Sequence, residues 1–161
     1  MHKIWKGPNI ENFVEGLVLS GFSSFLFGWH VHEKAILMVL IPFSLLIYQS
    51  EKHYKLAIIA SLAGYASLLP LLFNIQETIL KCSALLIYML FMVGQSQITN
   101  GFKPIEIAYA VGYIPLLLYT EVFSKIWAIE QYEFLPLMCI SVYSAFGISY
   151  AWVSLYYISI F

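Results

Sequence analysis

The chain is expected to fold as an all-α, polytopic bundle of about six transmembrane helices forming one membrane domain over residues 1–161. Three observations predict this. Hydrophobic residues make up 61% of the chain and charged residues 11%, where a soluble domain carries about 45–50% and about 25%. Apolar runs recur along the whole length, without the polar backs that water-facing helices need. The polar stretches between the runs are too short to hold a soluble domain.

Taken in order, the runs place spans at residues 13–29, 35–48, 56–73, 79–93, 105–123 and 135–161. A hydrocarbon core of about 30 Å needs roughly 20 helical residues. The second and fourth runs are therefore short, and suit tilted, kinked or partly embedded helices. Pro42, Pro70, Pro115 and Pro136 lie within or beside these runs, where kinks are expected because neighbouring helices can satisfy the freed carbonyls. Residues 49–55, 74–78, 95–104 and 124–134 are the connections. Gly16, Ser20, Ser24 and Gly28 recur at four-residue steps on the first span, as do Ser141, Ala145 and Ser149 on the last. Each set predicts a smooth stripe for close helix approach.

With a net charge of −1, the chain offers no basic tract for nucleic acid and no acidic tail for a basic partner. Cys82 and Cys139 both sit in apolar runs, reading as small hydrophobes rather than a disulfide or metal framework. Lys3 and Lys6 precede the first run without a small-residue cleavage site, which predicts a retained first helix. The amino terminus, second loop and fourth loop hold Lys3, Lys6, Lys52, Lys55 and Lys103. Positive-inside bias assigns that side to the cytosol and the first loop to the lumenal or external side.

That first loop carries the densest chemistry. Phe27-Gly-Trp-His-Val-His-Glu-Lys34 packs four titratable residues, His30, His32, Glu33 and Lys34, between two apolar runs. Polar groups beside a bilayer are costly unless satisfied or used, so they mark candidate sites. As a helix, this stretch gathers His30, Glu33 and Lys34 on one face. As a strand, it separates His30, His32 and Lys34 from Glu33. Either geometry builds a cation-rich cluster suited to a phosphate: Lys34 as a point charge, the imidazoles as donors, and Glu33 orienting a histidine or contacting a sugar hydroxyl. Three other readings remain open: a metal site, which lacks clear further ligands; a proton relay using His30, His32 and Glu33 in a non-enzymatic multi-pass protein such as a transporter subunit or assembly factor; or an interfacial anchor. Glu15, Lys81 and Glu121 interrupt apolar runs and read as structural, whereas Lys103 and Glu106 read as a solvated rim. No residue is assigned a catalytic role, and no metal or cofactor is expected.

Ser24-Phe-Leu-Phe-Gly-Trp-His-Val-His-Glu-Lys-Ala-Ile-Leu37, followed by Ile41-Pro42, resembles the carboxy-terminal half of the dolichyl-phosphate-glucose-dependent glucosyltransferases of the endoplasmic reticulum. The full Gly-Trp-His-Val-His-Glu-Lys form is most similar to those adding the second glucose to the lipid-linked oligosaccharide. The Val-His-Glu-Lys core is shared with those adding the first. The resemblance implies a multi-spanning GT-C architecture in the endoplasmic-reticulum membrane. It also implies inverting α-1,3 transfer of glucose from dolichyl phosphate glucose to Glc1Man9GlcNAc2 on dolichyl diphosphate. His30, His32, Glu33 and Lys34 would then lie near the donor phosphate and sugar. Such enzymes use an acidic base, typically an aspartate in the first lumenal loop, yet this chain contains no aspartate. The expectation is a fragment of a larger membrane enzyme, inactive alone.

Overall fold

The computed structural model describes residues 9–69, 80, 83–88, 90, 102–120 and 134–160. Helices α1 (Ile10–Phe27), α2 (Leu37–Leu45), α3 (Glu51–Leu68), α4 (Pro104–Leu118) and α5 (Leu135–Ile160) account for most of these residues. A 3-10 turn (Glu33–Ile36) leads into α2, and residues 83–88 are also helical. The all-α expectation holds among the described residues. By length and composition α1 and α5 are apolar enough to cross a membrane, and α4 is a shorter apolar helix.

Helix α3 is the centre of the bundle: 12 of its 18 residues are buried, on every side of the helix. Its beginning corrects the expected connection at 49–55. Ser50 caps the helix, its Oγ accepting from the backbone N–H of His53 at 3.4 Å, so the polar residues Glu51, Lys52 and Lys55 become the first turns of α3. Two anchors set the direction of its main partner. Leu62 and Ala66 share a cluster with Tyr143 near the start of α5, while Lys52 and Leu56 share a wall with Ser154 and Ile158 near its end. The two helices therefore run antiparallel. Ala57, Ala60 and Ala63 of α3 pack against Ile148, Ala151 and Leu155 of α5, and Val18, Phe22, Val39, Leu40 and Phe43 of α1 and α2 close the same core.

Both predicted small-residue stripes are displaced from the true contacts. The buried face of α1 is Glu15, Val18 and Phe22, while Ser20 and Ser24 are exposed. Larger side chains make that contact, and the Ser20 hydroxyl is satisfied within its own helix by the Leu17 carbonyl at 2.9 Å. On α5 the buried face runs through Ser144, Gly147, Ile148, Ala151 and Leu155, whereas Ser141 and Ala145 are exposed. The small residues that matter are the α3 alanines, Gly64 and Gly147. A Cβ on Gly64 would come within 2.6 Å of the Leu40 side chain and 3.3 Å of Ile36.

Pro42 and Pro115 lie inside α2 and α4, as expected. Pro136 instead sits in the first turn of α5, where the missing N–H removes no internal bond, so it starts a helix rather than kinking one. Pro70, Lys3, Lys6, Lys81, Cys82 and Glu121 lie outside the described residues. Cys139 is a half-buried free thiol.

Candidate functional site

Helix α1 ends where Gly28 turns extended, at φ −69° and ψ 140°. A side chain there would run into the Ser24 carbonyl and the Val31 side chain, so glycine is needed for this close turn. Two residues on, His30 takes φ 58°, the sole positive φ outside glycine among the described residues. Histidine tolerates this left-handed region better than most residues, and such strain clusters at functional loops. Its ring meets Trp29 edge to face at 5.6 Å. The loop closes as the Ala35 N–H donates to the His32 carbonyl at 2.8 Å, opening the 3-10 turn.

The seam is neither the helix nor the strand that its spacing suggested. The left-handed step at His30, followed by the turn at Glu33, brings His32 and Glu33 together: His32 Nδ1 lies 3.2 Å from Glu33 Oε2, with the two side chains 74% and 63% exposed. A contact this open contributes little to stability. Lys34 follows within the same turn, and His30, His32, Glu33 and Lys34 are all exposed. The segment is nonetheless held on both flanks. Phe27 packs edge to face on Trp152 at 5.4 Å, and Ile36 is buried against the core. Two imidazoles, one ammonium and one carboxylate are thus presented outward from an anchored base. Among the described residues, no three His, Cys, Asp or Glu side chains gather as metal ligands.

Relieving the left-handed strain gives a direct check on this loop. Exchanging His30 for glycine is expected to raise stability by about 1 kcal/mol, the usual cost of a side chain in that region. A stability loss in equilibrium unfolding would show instead that the imidazole holds the loop together.

Sequence reasoning missed two buried polar groups, His53 and Glu106. Glu15 and His53 are both buried, with His53 Nε2 4.0 Å from Glu15 Oε1 and His53 Nδ1 2.7 Å from Ser50 Oγ. The reading of Glu15 as structural is thereby given a partner. Glu106 is no solvated rim residue: it is 7% exposed. Its Oε2 accepts from the Lys103 backbone N–H at 2.8 Å, and its Oε1 accepts from the Tyr150 hydroxyl at 2.8 Å. Its third place in a helix opening with Lys103-Pro104 was the available signal. Lys103 itself is exposed.

Residues 1–155 match the model of the ALG6, ALG8 glycosyltransferase family. The chain is 37% identical to the dolichyl pyrophosphate Glc1Man9GlcNAc2 alpha-1,3-glucosyltransferase of Schizosaccharomyces pombe, over 95% of this chain and 32% of that protein. It is 37% identical to the Mus musculus protein of the same name, over 94% of this chain and 30% of that protein. A probable enzyme of that name from Drosophila melanogaster is 42% identical over 86% of this chain and 28% of its own length. The chain thus spans about a third of the length of the curated relatives it matches. No solved structure matches it. Matched over residues 1–155 and similar to these enzymes over most of its length, the chain belongs to the ALG6, ALG8 glycosyltransferase family.

Proposed function

We propose that this chain supplies part of the donor site of an inverting α-1,3-glucosyltransferase. That enzyme moves glucose from dolichyl phosphate glucose to Glc1Man9GlcNAc2 on dolichyl diphosphate, in the endoplasmic-reticulum membrane. The observation that carries the reading is the similarity to enzymes named for Glc1Man9GlcNAc2 glucosylation, at 36–42% identity in the four first relatives. In this reading residues 1–161 form one membrane domain of about six spans, akin to the carboxy-terminal part of a GT-C enzyme, with His30, His32, Glu33 and Lys34 on the lumenal side.

Inverting transfer sets the roles. The acceptor hydroxyl attacks the anomeric carbon as the bond to the donor phosphate oxygen breaks, so negative charge grows on dolichyl phosphate. Groups that grip this phosphate more tightly as it leaves lower the barrier. Lys34 supplies the fixed positive charge, and His30 and His32 supply N–H donors. Glu33, 3.2 Å from His32, orients that ring and can accept from a glucose hydroxyl. The base that deprotonates the acceptor is assigned to no residue of this chain.

The test is donor binding rather than turnover. With the full chain in lipid nanodiscs, dolichyl phosphate glucose is expected to bind about tenfold more weakly to the Lys34→Ala variant, the size of a lost charged hydrogen bond. Equal donor affinity for parent and variant would remove Lys34 from the phosphate site.

A further inference from the structure

A second cation cluster lies apart from the seam. Lys52 and Lys55 on the first turns of α3, and Lys103 at the start of α4, converge on a half-open cavity of about 440 Å³ whose walls include Tyr150, Ser154 and Tyr157. No residue of the seam lines it. The seam's Ile36 packs at Gly64, roughly three turns along α3 from Lys52, or about 18 Å. One carboxylate, that of Glu106, reaches the cavity, and both its oxygens are already held, by Tyr150 and by the Lys103 backbone. Among the described residues none of the three lysines is ion-paired. Three ammonium groups therefore face one engaged carboxylate, and the excess charge is positive.

An apolar space adjoins the cavity. Glu106 and Tyr150 separate the cavity from this space of about 260 Å³ lined by Ile59, Ile105, Tyr109 and Phe146. Ile105 and Phe146 are largely exposed, so this second space opens at the outer surface of the bundle. A cationic cavity beside an apolar groove that opens at the surface fits a ligand with an anionic head and a hydrocarbon tail.

From this we infer that α3, α4 and α5 form a binding site for an anionic phospholipid: its phosphate sits among Lys52, Lys55 and Lys103, and the first part of its acyl chain runs along Ile59, Ile105 and Phe146. Free phosphate shares the head chemistry but gains nothing from the groove. In the expected topology Lys52, Lys55 and Lys103 are three of the five lysines on the cytosolic side, where anionic lipids are concentrated. The site is independent of glucosyl transfer.

The test uses the full chain in detergent micelles, with bound lipid counted by native mass spectrometry. Phosphatidic acid is expected to be retained in preference to phosphatidylcholine. At roughly fivefold per lysine near a membrane surface, the combined Lys52→Gln, Lys55→Gln and Lys103→Gln variant is expected to lose about a hundredfold in affinity. The single variants at exposed Lys52 and Lys103 should each lose about fivefold with helicity unchanged, which separates lost binding from lost folding. Lys34→Ala should leave lipid retention intact, so failure of the donor reading and failure of this one are distinguishable. Equal retention of phosphatidylcholine, or undiminished phosphatidic acid binding by the triple variant and both single variants, would overturn the site. Displacement of the lipid by inorganic phosphate at matching affinity would overturn its assignment to a lipid.

Discussion

Changing Gly147 to alanine is expected to destabilise the bundle by about 2 kcal/mol, although alanine is the better helix former by about 1 kcal/mol. The reason is a clasp of aromatic rings between α4 and α5. Tyr109 and Tyr143 stack face to face, with centroids 4.8 Å apart and planes 8° from parallel. Each then bonds to the other's backbone: the Tyr143 hydroxyl donates to the Tyr109 carbonyl at 2.8 Å, and the Tyr109 hydroxyl donates to the Tyr143 carbonyl at 3.1 Å. Tyr113 joins them at 2.8 Å from the Tyr109 hydroxyl and 3.0 Å from Ser144 Oγ. The Tyr109 ring lies directly on Gly147, and the Tyr143 ring on Gly112, so a Cβ at either glycine would meet a phenol held by stacking and hydrogen bonds. Such a ring cannot swing aside cheaply. Denaturant unfolding in micelles measures the cost, and Gly147→Ala combined with Tyr109→Leu should recover part of it by emptying the contested space. No stability loss in the single variant would mean that the clasp yields freely.

His53→Leu is expected to cost about 3 kcal/mol, more than its size change alone would predict. The substitution leaves the Glu15 carboxyl buried in the α1–α3 contact with one polar neighbour fewer. It also removes the Ser50–His53 contact that reinforces the start of α3. The double variant Glu15→Leu/His53→Leu removes both polar groups together and should regain most of the loss, because an apolar pair of similar volume needs no such compensation. A double-mutant cycle by equilibrium unfolding reads the coupling. If single and double variants lose equal stability, the two side chains do not act as a unit.

How far the sequence anticipated this structure depended on whether the deciding interaction was local. Helix α5 was expected over 135–161 and runs Leu135–Ile160, because a long uninterrupted apolar run marks a helix by itself. Helix α4 was expected from residue 105 and begins at Pro104, whose fixed φ suits a first helical position. The seam was visible as a run of titratable residues, but its shape was not. A left-handed histidine is set by the close turn at Gly28, by the contact of the Phe27 ring with Trp152 and by burial of Ile36, which no spacing rule encodes. Glu106 was misread for a related reason. Its exposure was decided by Tyr150, 44 positions away in the chain, and such distant partners leave no mark on local hydropathy. The small-residue stripes failed because four-residue recurrence says that a face is smooth and not which face meets a neighbour.

The burial of α3 on all sides has a consequence for how the protein is made. Ala57, Ala60 and Ala63 bring α3 close against Ile148, Ala151 and Leu155 of α5. Its main partner, α5, is the last described helix to leave the ribosome. That side of α3 therefore stays uncovered until α5 has been made, and the core is completed late.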